Sequence, residues 1–370
     1  MLTKGDEYPV HQTPEPLATA GSDRNFYDRY FFNGYAPDGS LFFAAALGVY
    51  PHLNVMDAGF TVTSDGVQRN LHASRILYSE RLDTRVGPIS VEVVEPLRAL
   101  RVRVDDAERG IRAELLFRGR HAAIEEPRFT YRSGPRLVLD YTRMTQNGDW
   151  EGFIEAGGRR FEISPDHHLG TRDRSWGIRP VGAGDPQPVA PPPEPQFYWL
   201  WCPLNFDDLC TFFHVNEDAS GHAWNRRAAL APLGGRAVEM ARCAASVDFR
   251  PGTRHAQSAT LNFKSREGRE LTVSLEPVMQ FYMTGLGYMN ADWGHGLYKG
   301  ELATGYDEID LSSVDEAAFE HIHIQALCRA RLEGWPGGVR EGAGVLEQLF
   351  IGAHEPSGMK GLIDPPEAAG

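Results

Sequence analysis

The sequence predicts an all-β protein of two consecutive antiparallel β-barrel or sandwich domains, with few short helices. Three observations carry that expectation. Ile111, Ala113, Leu115 and Phe117 alternate with Arg112, Glu114, Leu116 and Arg118, the period-two pattern of a half-buried strand. The 25 prolines and 39 glycines suit many turns between many short strands. A single low-complexity segment, PVGAGDPQPVAPPPEPQ, then divides the chain into halves of similar length, each the size of one barrel or sandwich.

Taken in order, residues 1–24 form a polar N-terminal extension and residues 25–180 the first domain. The first domain opens on strand aromatics, Phe26, Tyr27, Tyr30, Phe31 and Tyr35. Asp38-Gly39 and Asp65-Gly66 read as hairpin turns, with Phe42, Phe43 and Val62 beside them. Residues 127–143 and 161–164 continue the strand pattern. Residues 181–196 are the linker, whose prolines favour an extended conformer. Residues 197–356 are the second domain and 357–370 a tail.

In the second domain, Leu261 and Phe263 lead into the polar turn Arg266-Glu267-Gly268-Arg269, and Leu271, Val273 and Leu275 return on one face. Ser313 to Phe319 is the best helical window. The run Phe197-Tyr198-Trp199-Leu200-Trp201 is apolar on both strand faces, so one face packs into a core and the other meets something else apolar. That second surface is either the partner domain or a hydrophobic ligand cavity inside a barrel.

Composition narrows the function. With 42% hydrophobic and 24% charged residues the 370-residue chain is globular. A net charge of −13 without a basic face argues against nucleic acid and anionic lipid as partners. No signal peptide or membrane-spanning run is read, so the expectation is a cytoplasmic protein without stable membrane insertion. Cys202, Cys210, Cys243 and Cys328 are scattered and read as reduced thiols. Nucleotide-binding and serine-hydrolase signatures are not found, and no cofactor is expected.

Three segments carry candidate chemistry. In the run from His167 to Arg179, an extended strand would put Arg172, Arg174 and Trp176 on one face and Asp173 and Ser175 on the other. Gly170 and Gly177 mark turns or close backbone approach. The structural alternative is an Asp–Arg bridge locking a β-turn. Between Gly285 and Glu301, dense glycine implies a backbone passing close to something, with Tyr288, Trp293 and His295 projecting from it. His321 and His323, two apart, could chelate a metal together with His295 or His167/His168. A strand with one wet face looks the same, and no metal is assigned.

Three motifs together resemble an uncharacterised bacterial branch of the carotenoid 1,2-hydratase (hydroxyneurosporene synthase)-like superfamily. They are NFYDRYFFNG at 25–34, TRDRSWGIR at 171–179, and WGHG at 293–296 with KGEL at 299–302. GVLEQLFIG at 344–352 is similar as well, and the likeness spans about residues 25 to 360. The resemblance implies two lipocalin-like barrels and an enzyme that hydrates, dehydrates, isomerises or cyclises apolar polyene, terpenoid or polyketide-like molecules. This chain departs from the branch at Arg174, where the branch usually has His, so that histidine's role does not carry over.

On this reading Asp173 is the proton donor and His295 positions water or takes the second proton. Trp176, Trp293 and Tyr288 face the developing cation. Arg172, Arg179, Tyr30 and His168 complete the ligand contacts. The partner is a hydrophobic small molecule, and a homodimer is one candidate assembly. The competing readings are a non-catalytic carrier of apolar ligands and a carbohydrate-binding or carbohydrate-active β-sandwich, whose aromatics would line an open groove.

Overall fold

A computed structural model describes residues 1–19, 21–184, 187 and 194–366; most of the Pro-rich linker and the last four residues lie outside it. The chain is all-β, and among the described residues the only helical pieces are single 3₁₀ turns. It forms two antiparallel, barrel-like sheets of lipocalin type, of 14 and ten strands. The alternation read at 111–118 holds: Ile111, Ala113, Leu115 and Phe117 are buried while Arg112, Glu114 and Arg118 are exposed. Likewise Leu261, Phe263, Leu271, Val273 and Leu275 are buried on the hairpin formed by Ala256–Lys264 and Glu270–Tyr282.

Ser313 to Phe319 is not a helix. Asp310 and Asp315 accept hydrogen bonds from the backbone N–H of Ser312 and Ala317, which fixes turns, and only Phe319–His321 makes one 3₁₀ turn. Seven residues cannot repay helix nucleation against such local bonds.

The first sheet begins as a meander of Phe26–Tyr35, Phe42–Tyr50, Val55–Ser64 and Val67–Ile76. Leu169–Ile178 then lies on the far side of Phe26–Tyr35, and Arg136–Ala156 beyond it. Leu302–Asp310 crosses over from the second half and pairs with Val67–Ile76 at the edge of this sheet. The remaining strands from Phe197 onward build the second sheet, with Phe197–Trp201 beside Arg340–Ile351.

Period-two alternation decides what each face meets. Phe32, Phe43, Ala45 and Leu47 fill the first barrel, whereas Phe31, Tyr35, Phe42, Ala44 and Ala46 join a separate cluster. That cluster also takes Trp199, Trp201 and Phe212 from the second barrel, whose interior holds Tyr198, Leu200 and Phe213. The doubly apolar strands are therefore those shared between a barrel core and the interface. Polar pins cross the interface too: Asn33 donates to Gln325 at 3.0 Å, and Asn205 to the Tyr35 hydroxyl at 2.9 Å. The four cysteines are free and buried.

Candidate active site

At one end of the aromatic interface the barrels part around a cavity of about 220 Å³. Neighbouring strands line it through residues two apart. Arg136–Ala156 supplies Leu139, Tyr141 and Arg143; Leu169–Ile178 supplies Asp173 and Ser175. From the second barrel come Phe197 and Trp199 on one strand, Glu347 and Leu349 on the next, and His323 just before Ile324–Glu333. Tyr288 and Met289 close one side. One face of the aromatic run therefore packs against the partner barrel and, at its end, lines a cavity that lies between the barrels and not inside one.

Asp173 lies on the cavity wall, and its carboxyl pKa is pushed up to about 7. Burial is the main cause; Arg143 opposes it, while Glu126 and Glu347 add to it. Arg143 is a weak counterion because it is committed elsewhere. Its guanidinium donates to Glu126 at 2.6 and 2.9 Å and lies 4.7 Å from the Trp199 ring centre. Among the described residues no donor bonds the Asp173 side chain. The Asp–Arg lock of a β-turn is not what forms here: Asp173 sits mid-strand, opposite Phe31 and Thr145.

Across the cavity stands a histidine–carboxylate pair. His323 Nε2 lies 2.8 Å from Glu347, which also accepts from Gln325 at 2.8 Å and from the Trp199 indole at 3.2 Å. Burial alone would raise the Glu347 pKa, but hydrogen bonds from His323 and Gln325 and the charge of Arg143 outweigh that and hold it below the usual range. An ionised Glu347 requires Nε2 of His323 to be the donor. Nδ1 of His323, an acceptor in the neutral imidazole, is buried without a partner among the described residues.

The other sequence-derived candidates spread widely. Arg179 and Tyr288 line the cavity with Asp173. His295 sits one layer behind: its ring packs edge-on against Tyr288 at 4.4 Å, its Nδ1 accepts from Arg179 at 3.0 Å, and its Nε2 donates to the Leu286 carbonyl at 2.8 Å. Burial, then Arg29 and Arg179, hold its pKa well below the usual value, so it is a neutral, fully bonded group. With Asp57, His72 and Trp293 it lines a separate void of about 10 Å³, roughly the room one water needs. Trp293 stacks on His72 there at 5.4 Å.

Arg172 points into the first barrel and donates to Gln146 at 2.8 Å. Trp176 is 40% exposed on the face away from the cavity. Tyr30 stacks on Phe32 and under Arg174, which pairs with Asp28. His168 is held at Ser164, its Nδ1 3.1 Å from that backbone nitrogen. His321 bonds the Asp315 carbonyl at 2.7 Å, apart from the His323–Glu347 pair. Among the described residues no cluster of three or more His, Cys, Asp or Glu side chains is arranged to hold a metal. No described helix is long and apolar enough to cross a membrane.

Arg143, Glu126, Glu347 and Trp199 escaped the sequence reading as site residues. Their signal was spacing: Tyr141-x-Arg143 and Glu347-x-Leu349 share a strand face, but nothing local says that this face borders a cavity.

Solved structures share the fold. A protein described as an AttH from Nitrosomonas europaea matches with TM-score 0.52 at 11% identity, over 92% of this chain and 98% of its own. CghA crystallised with Sch210972 matches with TM-score 0.52 at 13% identity, over 88% of this chain and 89% of its own. Kievitone hydratase from Nectria haematococca matches with TM-score 0.48 at 10% identity, over 87% and 88%. No curated protein matches the sequence. Over residues 2–360 the chain fits a defined family, and it belongs to that family, the family of unknown function DUF8625.

Proposed function

We propose that this protein is an acid–base enzyme of the hydratase, isomerase or cyclase type, acting on a hydrophobic terpenoid- or polyketide-like molecule in the cavity between its barrels. The observation that carries the reading is Asp173, a carboxyl group held near pKa 7 on the wall of an aromatic cavity. Protonating an alkene needs a donor still protonated at neutral pH, little competing water, and surroundings that tolerate a cation. Asp173 is the donor. The Trp199, Tyr27 and Tyr288 rings line the same space, and an aromatic face contributes on the order of 1–2 kcal/mol to a desolvated cation. Ionised Glu347 adds negative potential on the far side.

The proton count closes within the cavity. In hydration, Asp173 delivers its proton to an alkene carbon, water adds to the cation, and His323 Nδ1 takes the proton the water loses. Dehydration is the reverse. Loss of a carbon-bound proton to the same nitrogen gives double-bond migration. His323 therefore takes the role first assigned to His295, whose nitrogens are both engaged. These reactions are redox-neutral and call for no electron carrier. The fold relative CghA, solved with Sch210972, supports a ligand on this architecture.

Size limits the substrate. An apolar cavity of about 150 Å³ holds a benzene molecule, so this one has room for roughly ten carbon atoms. A full-length polyene would have to extend past Pro180 into solvent. The test is isotope incorporation: wild-type protein and Asp173→Asn are incubated with C10 terpenes and terpene alcohols in deuterated water, and products are read by mass spectrometry. The expected result is carbon-bound deuterium with wild type and none with Asp173→Asn. Saturable binding across the panel with no incorporation would instead establish a non-catalytic carrier.

A further inference from the structure

The cavity is graded in polarity, and the strand registers impose the gradient. Along Arg136–Ala156 the lining runs Leu139, Tyr141, Arg143, and along Phe197–Trp201 it starts at Phe197 and passes to Trp199. The pairing Trp199↔Leu349 and Trp201↔Glu347 makes the antiparallel neighbour run from Leu349 inward to Glu347. On Leu169–Ile178, Arg143↔Ser175 and Thr145↔Asp173 put Asp173 one step deeper than Ser175. Leu139 and Phe197 are half-buried and Pro180 is exposed beside Arg179, so this end is the mouth; at the other end Arg143 and His323 are buried, with Asp173 and Glu347 half-buried beside them.

Two floor groups lack partners. No described residue donates to the Asp173 carboxyl, half-buried on the cavity wall, and His323 Nδ1 is buried without a hydrogen bond. A buried polar atom such as that Nδ1 is rarely left so unless a ligand or water completes it. One offers a proton or accepts, and in the neutral imidazole the other accepts, because the proton on Nε2 of His323 is then committed to Glu347. A hydroxyl group, donor and acceptor at once, answers both.

We infer that the cavity takes its ligand oxygen-first: an alcohol of about ten carbon atoms whose hydroxyl sits at the floor between Asp173 and His323, with its hydrocarbon end toward Phe197, Leu139 and Pro180. Hydrocarbons of the same size are the poor ligands. The inference rests on the cavity being the ligand site of the proposed enzyme, and it narrows the chemistry to hydroxylated substrates or products. A site that hydrogen-bonds a hydroxyl discriminates strongly against the analogue lacking it, because the floor groups then stay unpaired.

The test reads binding and not turnover, so it fails independently of the catalytic reading. Geraniol and myrcene, an acyclic C10 alcohol and an acyclic C10 hydrocarbon, are titrated into the full-length protein while Trp emission is followed. Wild type is expected to bind geraniol at least tenfold more tightly than myrcene. His323→Leu should shrink that preference to under threefold by weakening geraniol alone. The two-ligand comparison in wild type stands even if the variant fails to fold. Equal affinities, tighter myrcene, a preference unchanged in folded His323→Leu, or no binding of either up to solubility would overturn the inference.

Discussion

Arg179 donates from Nη2 to Nδ1 of His295 at 3.0 Å, and that bond makes the imidazole a strut under the cavity wall. Arg179 lines the cavity and packs 4.5 Å from the Tyr27 ring, so the histidine sets where its guanidinium points. His295→Ala leaves a void, strips the Arg179 guanidinium of this acceptor and costs the Leu286 carbonyl one of its two donors, Arg29 keeping the other. The expected loss is about 2–4 kcal/mol of stability, measured by denaturant unfolding. In the protein that remains folded, turnover should fall far less than in Asp173→Asn. Loss of all turnover at unchanged stability would mean that His295 acts chemically.

Asp173 sets the pH dependence. Its protonated form is the reactive one, and its folded pKa is raised from 3.8 to about 7. Turnover should therefore decline about tenfold per pH unit above about 7, read from kcat/KM across pH 7 to 9. Stability follows the same sign. Folding favours the neutral acid, so this contribution is full below the unfolded pKa and is lost as pH rises from about 4 to about 7. Asp173→Asn, neutral throughout, should lack turnover yet be more stable than wild type at pH 8 by a few kcal/mol, at roughly 1.4 kcal/mol per pKa unit.

Much of this was legible from alternation alone. Period two at 172–176 already separated Asp173 and Ser175 from Arg172, Arg174 and Trp176, and the structure puts only the first pair on the cavity. Arg172 and Trp176, expected as ligand contacts, stand on the opposite face. Dense glycine at 285–300 signalled close backbone approach, and this loop does pass tightly: a Cβ on Gly285 would sit 2.2 Å from Asn70, and one on Gly296 3.0 Å from Leu53. What it approaches, the first barrel across 200 residues of sequence, has no local signature. The His323–Glu347 pair was hidden for the same reason. Glu347 lies on one strand and His323 just before its neighbour, and only the register Gln325↔Glu347 brings them together.

Glu126 and Arg143 form the most enclosed ion pair beside the cavity, with side chains 0% and 10% exposed. Glu126 also accepts from Thr145 at 2.5 Å and lies 3.4 Å from His214, so its charge is fully used. Removing Arg143 alone leaves a buried carboxylate without its main partner. Arg143→Met should cost about 3–5 kcal/mol. Adding Glu126→Gln should recover part of that loss, because the uncompensated charge is gone. A double-mutant cycle by chemical denaturation measures the coupling, and strictly additive losses would show that the two residues act independently.

Gly177 makes the sharpest contrast with its neighbour Trp176. It adopts φ +139, and a Cβ there would lie 2.4 Å from the Asp140 carbonyl and 2.6 Å from the Tyr141 Cα. Tyr141 lines the cavity directly across the strand pair, so Gly177→Ala must push the adjacent strand and displace that ring. The expected cost is about 2–4 kcal/mol of stability, with at least tenfold weaker binding of a C10 alcohol. Trp176→Ala removes a side chain that is 40% exposed and faces away from the cavity. It should change stability by under about 1 kcal/mol and binding by less than twofold. Because the two positions are adjacent, a shared local disturbance cannot produce both outcomes; only the face on which each residue stands can.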